Sequence, residues 1–565
     1  MSTEQSQSGS GTNFLFSGLC GLAAWHLWPA ESAHWGQQAA AWSLAGMAGL
    51  AALSGSQAFA RERRLHRHLR DSETAGTAHG SAREATEAEL EARGMFDPAS
   101  GTFLGFKFGR AVFSPPDSPN CLIEAPPGSG KDIYLCVGAI LHRSLLGQSV
   151  LAPDVKLELG PMLIPGLRKM GVETWALNPA RQFMDVCGNV ELGLYQALLD
   201  SLYSEKGNPK DAPGIARELS FVHIPEEKGD GNKRYFTGGA RRCTGIQPLT
   251  AALINPSLCT PAENFATLND PKRFSALLKF VNEKLVPDGV HDPIIDFLKG
   301  EARNLLSRSD NNADNMGSFL EIATQALNPF NQAGYLAEYG LLATSNIREM
   351  GERPITAFPM TPHSHMSEFE PFNSLLNANL LSACKRMKKK QRVHLCLNEF
   401  LNYRIPNIGS ELEVIRGLGV TCDIFIQSFS GLVRKYGAET AASVNDYCDT
   451  KVYMGLNSYE RAKYVSDMLS EETITGKDYS YRSAPDDVNI SSKRHGRRLM
   501  TTDEVLSMPR DQAWVFVKGL RPFRVHLAHY GHVDPWKHLV SDNPLEGPPL
   551  TGNTLLKIEY PRREP

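Results

Sequence analysis

The chain lacks any Cys-x-x-Cys pair, and none of its ten cysteines has a histidine at zinc-ligand spacing. This excludes a structural zinc module and a disulfide framework, so Cys121, Cys136, Cys187 and Cys243 read as reduced thiols of a cytosolic body. Lysine and arginine are missing from Met1 to Asn13, which excludes the basic start of a secretory signal peptide. A surplus of positive charge is missing too. The formal net charge of −3 provides no global attraction to nucleic acid, so any DNA contact must come from a local patch. No internal repeat points to a solenoid.

What is present is length and apolar patterning. At 565 residues the chain exceeds one compact core, which predicts a main domain with an inserted domain and appended termini. Two apolar runs, Phe14 to Trp28 and Ala39 to Ala60, fit a transmembrane hairpin spanning residues 1–60. The first is short against the about 20 residues that a spanning helix needs. Arg61, Arg63, Arg64, Arg67 and Arg70 follow, which by the positive-inside rule places the body in the cytoplasm. The competing reading is a pair of buried apolar helices in a soluble domain. Residues 61–100, rich in Ala, Glu, Ser and Gly, read as a linker with an acidic helical section around Glu84 to Arg93.

Short strand-like runs then alternate with helical ones: Cys121–Glu124, Ser149–Ala152, Val172–Leu177, Ile355–Phe358, Val393–Leu397, Asp423–Ile426, Lys451–Met454 and Ala513–Val517. This predicts an α/β fold with a parallel sheet over residues 101–187 and 348–540. The stretch 188–347 shows helix starts instead. Asp270-Pro271 and Asp292-Pro293 each pair an N-cap with a proline at the first helical position, and Ser318 with Glu321 has capping-box spacing. An all-α domain is therefore expected inside the sheet domain. Asp478 to Arg498 reads as a mobile surface loop, and residues 541–565 as a tail.

The run Ala125-Pro126-Pro127-Gly128-Ser129-Gly130-Lys131-Asp132 lies between an apolar strand and a helix, the context of a phosphate-binding loop for ATP. Pro127 through Asp132 form the nucleotide cradle: small residues let backbone N–H groups close on phosphate, and Lys131 supplies a cation. Asp132 stands where Ser or Thr ordinarily ligates Mg2+, and a bare carboxylate there repels phosphate. A second element, Val393 to Glu399, is an apolar strand with a polar end. Glu399 is the expected catalytic base, and Asn398 occupies the place of a magnesium-holding aspartate. One hypothesis is compensation, with Asp132 supplying the charge that Asn398 lacks. The opposite account is a protein that binds nucleotide and hydrolyses it poorly. The basic run Lys385, Arg386, Lys388, Lys389, Lys390 and Arg392 is a candidate contact for a phosphate backbone or acidic lipid, or else a solvated turn.

The loop, Asp154 to Leu159, Asn178-Pro179, Asn398-Glu399-Phe400 with Arg404-Ile405-Pro406, Arg416-Gly417, Ile426-Gln427-Ser428, Tyr436-Gly437 and Leu499-Met500-Thr501 occur in a particular order. In that order they resemble the TraG/TraD-type coupling ATPases of type IV secretion and conjugation. The resemblance implies a RecA-like P-loop ATPase in a homo-hexamer, anchored in the bacterial inner membrane. It further implies transfer of substrate to secretion-channel components, either single-stranded DNA with bound relaxase or an effector protein. Arg416 then takes the place of an arginine finger acting on the neighbouring subunit, and Gln427 of a γ-phosphate or water sensor. Arg416 in a surface ion pair and Gln427 as a satisfied buried amide are the competing readings. Asp154, Lys156 and Glu158 are expected to link nucleotide state to the neighbouring subunit without catalysing. The alternatives are a weakly hydrolysing adaptor that recruits substrates, and a membrane-anchored DNA translocase of the chromosome-segregation type acting on double-stranded DNA.

Overall fold

A computed structural model describes residues 17–25, 35–73, 80–118, 120–205, 207–225, 231–341, 343, 345–386, 391–405, 407–481, 488–549 and 552–561. The chain divides into two compact units, Met1–Arg83 with Ser466–Met500, and Glu84–Val465 with Thr501–Pro565.

The larger unit is built on a sheet. In chain order its strands are β1 (Phe103–Lys107), β2 (Arg110–Phe113), β3 (Cys121–Glu124), β4 (Ser149–Leu151), β5 (Thr174–Leu177), β6 (Thr356–Pro359), β7 (Val393–Leu397), β8 (Val420–Ile426) and β9 (Thr450–Met454). The strands of a separate hairpin, β10 (Glu471–Tyr481) and β11 (Val488–Arg498), precede the last two, β12 (Gln512–Val517) and β13 (Phe523–His526). Among the described residues the sheet has eleven strands in the order β2-β1-β13-β12-β9-β3-β8-β7-β4-β6-β5. From β9 to β5 every pairing is parallel. The expected parallel sheet is therefore extended by an antiparallel flank of β12, β13, β1 and β2. β1, β2 and β13 escape a sequence reading because an edge ribbon of short strands has no long apolar run. Burial on both faces makes the central strands read as continuous apolar segments.

Alternate side chains feed two cores. Leu122, Leu151, Leu395 and Ile424 belong to one, whereas Ile123, Val150, Cys396 and Phe425 belong to the other. Between β5 and β6 the described chain is mainly helical, with helices including Ala212–His223, Gly231–Ile254, Pro271–Glu283, Asp292–Asn311 and Ala313–Leu327, packed into the first core. Asp270 caps its helix by accepting from the Lys272 and Arg273 amides. Asp292 is instead the first helical residue, after His291 at the cap position. Ser318 lies inside its helix and bonds back to the Asp314 carbonyl, so it caps nothing; Asn312 caps that helix.

The second core reaches further in the chain than the linker expectation allowed. Thr86 and Glu89 form a capping box on the helix Glu87–Ala92, and Ala85, Leu90 and Met95 are buried in this core. At its centre Trp536 stacks edge-on against Phe103 at 5.0 Å and donates its indole N–H to Tyr560 Oη at 3.0 Å. Gly138 lets the helix after the P-loop approach, since a Cβ there would sit 2.8 Å from the Trp536 ring.

In the smaller unit the segment expected as a mobile loop is largely a hairpin. β10 and β11 pair antiparallel, with Glu471 opposite Arg498 and Glu472 opposite Arg497, and their Thr-, Ile-, Val- and Tyr-containing sequence suits strands. Residues 482–487 between them lie outside the described residues. The N-terminal segment contributes helices at 17–25 and Trp35–Glu73, joined by a bond from Ser17 Oγ to the Ala48 carbonyl at 3.0 Å. Among the described residues no helix is long and apolar enough to cross a membrane, so they give the expected two-span anchor no support. Glycine and serine interrupt Ala39 to Ala60 and dilute its hydropathy.

Trp536→Ala is expected to destabilise the sheet unit by about 3–5 kcal/mol, through lost burial and the cavity left beside Phe103. Urea unfolding followed by tryptophan fluorescence measures the loss.

Candidate functional site

The parallel pairing of β3, β8, β7 and β4 brings their carboxyl ends to one edge of the sheet, and the predicted chemistry lies there. The loop after β3 turns through Gly128 and Gly130, both with positive φ (76° and 82°), and runs into a helix whose first turn, Asp132–Cys136, is a wide π turn. Ser129 is buried against the loop after β9, where a Cβ on Gly455 would lie 2.9 Å from the Ser129 Cβ. Glu399 follows β7 in the left-handed region, at φ 52°. Such backbone is costly for a side-chain-bearing residue and turns the carboxylate toward the loop.

Lys131 Nζ donates to Glu399 Oε1 at 2.7 Å, and both residues are only 5% exposed. Gln427, just past β8, donates its Nε2 to Glu399 Oε2 at 2.8 Å. Lys156, from the loop after β4, reaches Asp132 Oδ2 at 2.8 Å and Glu399 Oε1 at 3.4 Å. Burial raises the Asp132 pKa, but Lys131 and Lys156 outweigh it and hold the carboxyl below its ordinary value. Asn398 is buried nearby and also favours the charged form of Asp132. The geometry thus joins Lys131, Asp132, Asn398, Glu399 and Gln427, with Lys156 as a sixth member that sequence reasoning had kept outside the chemistry.

The residues present fit a magnesium-bound nucleotide. Ser129 Oγ, Asp132 Oδ1 and Asn398 Oδ1 are buried and have no hydrogen-bond partner, although buried polar atoms are ordinarily satisfied. Hard oxygen donors beside two lysines match magnesium and phosphate. Among the described residues no group of three or more His, Cys, Asp or Glu side chains is placed to hold a metal.

Residues 392–510 match the family described as the TraM recognition site of TraD and TraG. On that segment the chain is similar to TraD and TraG. No curated protein sequence matches the chain. Its fold is that of the conjugative coupling protein TrwB. An unbound TrwB lacking its N-terminal 70 residues aligns with TM-score 0.56 and 16% identity over 80% of this chain and 96% of that one. TrwB in complex with ADP and Mg2+ aligns with TM-score 0.54 and 16% identity, over 79% and 94%. TrwB with the ATP analogue ADPNP gives the same TM-score and identity, over 79% and 93%. At such identity these likenesses show the fold.

Other motifs of the TraG/TraD type serve the architecture. Asp154 is buried and caps the helix Leu159–Lys169 by accepting from the Glu158 amide at 3.0 Å and the Gly160 amide at 2.8 Å. Burial pushes its carboxyl up to about 6, against the opposing effect of these bonds. Glu158 accepts from Asn543 Nδ2 at 3.2 Å. Asn178 is buried and organises its own turn through the Gln182 amide and carbonyl. Arg416 lies before β8, at the opposite strand end from the P-loop, half-exposed and 3.6 Å from Asp449. It does not join the site of its own chain. In the basic run Lys385 pairs with Glu411 and Arg386 with Asp211 and Glu218, while Lys388, Lys389 and Lys390 lie outside the described residues.

An ion pair at the end of β3, between buried Glu124 and half-buried Arg461, went unread in the sequence. Glu124, the last residue of β3, accepts from Arg461 Nε at 2.9 and 3.0 Å and from its Nη2, and from the Phe429 amide at 3.3 Å. The Arg461 guanidinium also lies over the Tyr464 and Phe429 rings, at 4.6 and 4.9 Å. An acid closing an apolar strand directly before the loop was the available signal. Arg461→Met strands a buried carboxylate and is expected to cost about 3 kcal/mol or more, with less lost when Glu124→Leu accompanies it. Urea midpoints of the two single variants and the double variant test this.

Proposed function

We propose that the chain is an ATPase that couples nucleotide hydrolysis to substrate delivery into a type IV secretion or conjugation channel. The observation that carries this reading is the convergence of Lys131, Asp132, Glu399 and Gln427 around three unpartnered buried oxygens. The TraD/TraG match and the fold of TrwB, which has been solved with ADP and Mg2+, support it. Lys131 binds phosphate, and Ser129, Asp132 and Asn398 are the residues that would hold magnesium. When bound, magnesium would neutralise charge developing on the phosphates. Glu399, released from Lys131, orients the attacking water, with Gln427 positioning its carboxylate. A homo-hexamer would let Arg416 act on the neighbouring subunit. The cargo is single-stranded DNA with bound relaxase or an effector protein.

One observation favours the adaptor reading. Both Glu399 oxygens are engaged, by Lys131 and by Gln427, so the base is withheld until those bonds rearrange. Steady-state ATP hydrolysis by the full chain in detergent, with and without single-stranded DNA, separates the two. For a motor, Glu399→Gln is expected to keep nucleotide binding and lower turnover by about 10²–10⁴-fold, and Lys131→Ala to weaken binding itself. Binding without turnover, with DNA present and the chain assembled, selects the adaptor.

The N-terminal segment is proposed as the inner-membrane tether, with the ATPase body in the cytoplasm. Leu19, Leu22, Trp25, Trp42, Leu50 and Leu53 are exposed on its helices, an apolar surface that water does not favour. The arginines after Ala60 supply the cytoplasmic flank. Deleting residues 1–60 is expected to move the protein from the membrane to the soluble fraction of bacterial lysates. Full-length chain recovered wholly soluble overturns the tether.

A further inference from the structure

Lys156 has no task in the proposed hydrolysis, yet the fold places it with care. Its loop is clamped at Asp154, whose amide donates to Pro359 at 2.8 Å and whose carbonyl accepts from Thr361 at 3.1 Å. The next turn is held by His363, whose amide donates to the Val155 carbonyl at 2.9 Å. Val155 and Leu157 on either side are buried, and Leu157 sits in the left-handed region at φ 59°. The backbone is thus fixed, and the four-carbon stem of Lys156 carries its ammonium to Asp132 and Glu399.

The two lysines of the site differ in freedom. The Lys131 side chain is 6% exposed and that of Lys156 is 40% exposed. Only the second can leave its partners for water without a large desolvation change. Asp132 gives it a reason to be there. A carboxylate at this place in a phosphate-binding loop repels nucleotide unless a cation covers it, and Lys156 covers one of its oxygens while the other has no partner.

We propose that Lys156 is a displaceable counter-ion for Asp132, a positioning residue that neutralises this carboxylate until magnesium takes over. The inference rests on the nucleotide-binding reading of the site. It explains how the loop tolerates aspartate at a position next to phosphates: the charge is never bare. Asp132 would then be free to hold magnesium that comes with nucleotide, and the Lys156 side chain would turn toward solvent or phosphate.

The test is equilibrium binding of a fluorescent ATP analogue to the full chain in detergent, in magnesium and in EDTA. Lys156→Gln is expected to weaken binding about tenfold in EDTA, where Asp132 keeps only the more distant Lys131 at 3.7 Å, and by less than about threefold in saturating magnesium. Asp132→Asn should abolish the difference between Lys and Gln at position 156. Lys156→Arg, which keeps the charge, should retain the EDTA affinity and guards against a folding defect in the Gln variant. An equal loss in both conditions, or a loss that survives Asp132→Asn, overturns the counter-ion role while leaving nucleotide binding intact. Wild-type chain that binds no nucleotide even in magnesium overturns the nucleotide reading and this inference together.

Discussion

A buried ammonium and a buried carboxylate, Lys131 and Glu399, meet at 2.7 Å where the ends of β3 and β7 converge. Charges taken this far out of water are tolerated only when each is matched in place, and removal of either partner leaves the other uncompensated. That requirement constrains much of the architecture. The two strands flank β8, so the pair spans the strand whose end supplies Gln427 to the second Glu399 oxygen. Parallel pairing delivers all three ends to one edge. A one-residue slip in β7 would turn Glu399 away and exchange its core faces.

The remainder of the unit protects this arrangement. Helices enter between β5 and β6, at the sheet edge away from β3, so a large helical insertion leaves β3, β8, β7 and β4 adjacent. The antiparallel flank closes the other side, beyond β9. Glu124, the residue before the loop, is matched by half-buried Arg461 in a second ion pair. Inside the sheet, His394 joins Thr421 and Asp423, and Asp423 accepts from Thr102, so polar side chains in the core satisfy one another.

Legibility varied with the range of the interactions involved. All eight strand-like runs occur as strands, because burial on both faces writes itself as local apolar sequence. The turn between β3 and the following helix was legible because glycine and strand-to-helix context are local too. β1, β2 and β13 were not, being short strands of the antiparallel flank without a continuous apolar run, and the β1–β13 pairing joins segments far apart in sequence. The hairpin β10–β11 was missed because its charged residues and serines masked the strand-favouring Thr, Ile, Val and Tyr among them, and cross-strand pairing reveals it.

Asp132 and Asn398 stood out from sequence as departures from the residue types expected in their motifs, a matter of residue identity alone. That Lys156 neutralises Asp132, that Arg416 lies at the opposite strand end, and that Glu124 meets Arg461 were decided by tertiary structure. The reason is physical. Residue type and spacing dictate what a segment can form and what chemistry it can perform, because those depend on neighbours along the chain. Which charges finally face one another depends on strand order and on loop backbone such as Leu157 and Glu399 in the left-handed region, properties that exist only once distant segments have packed.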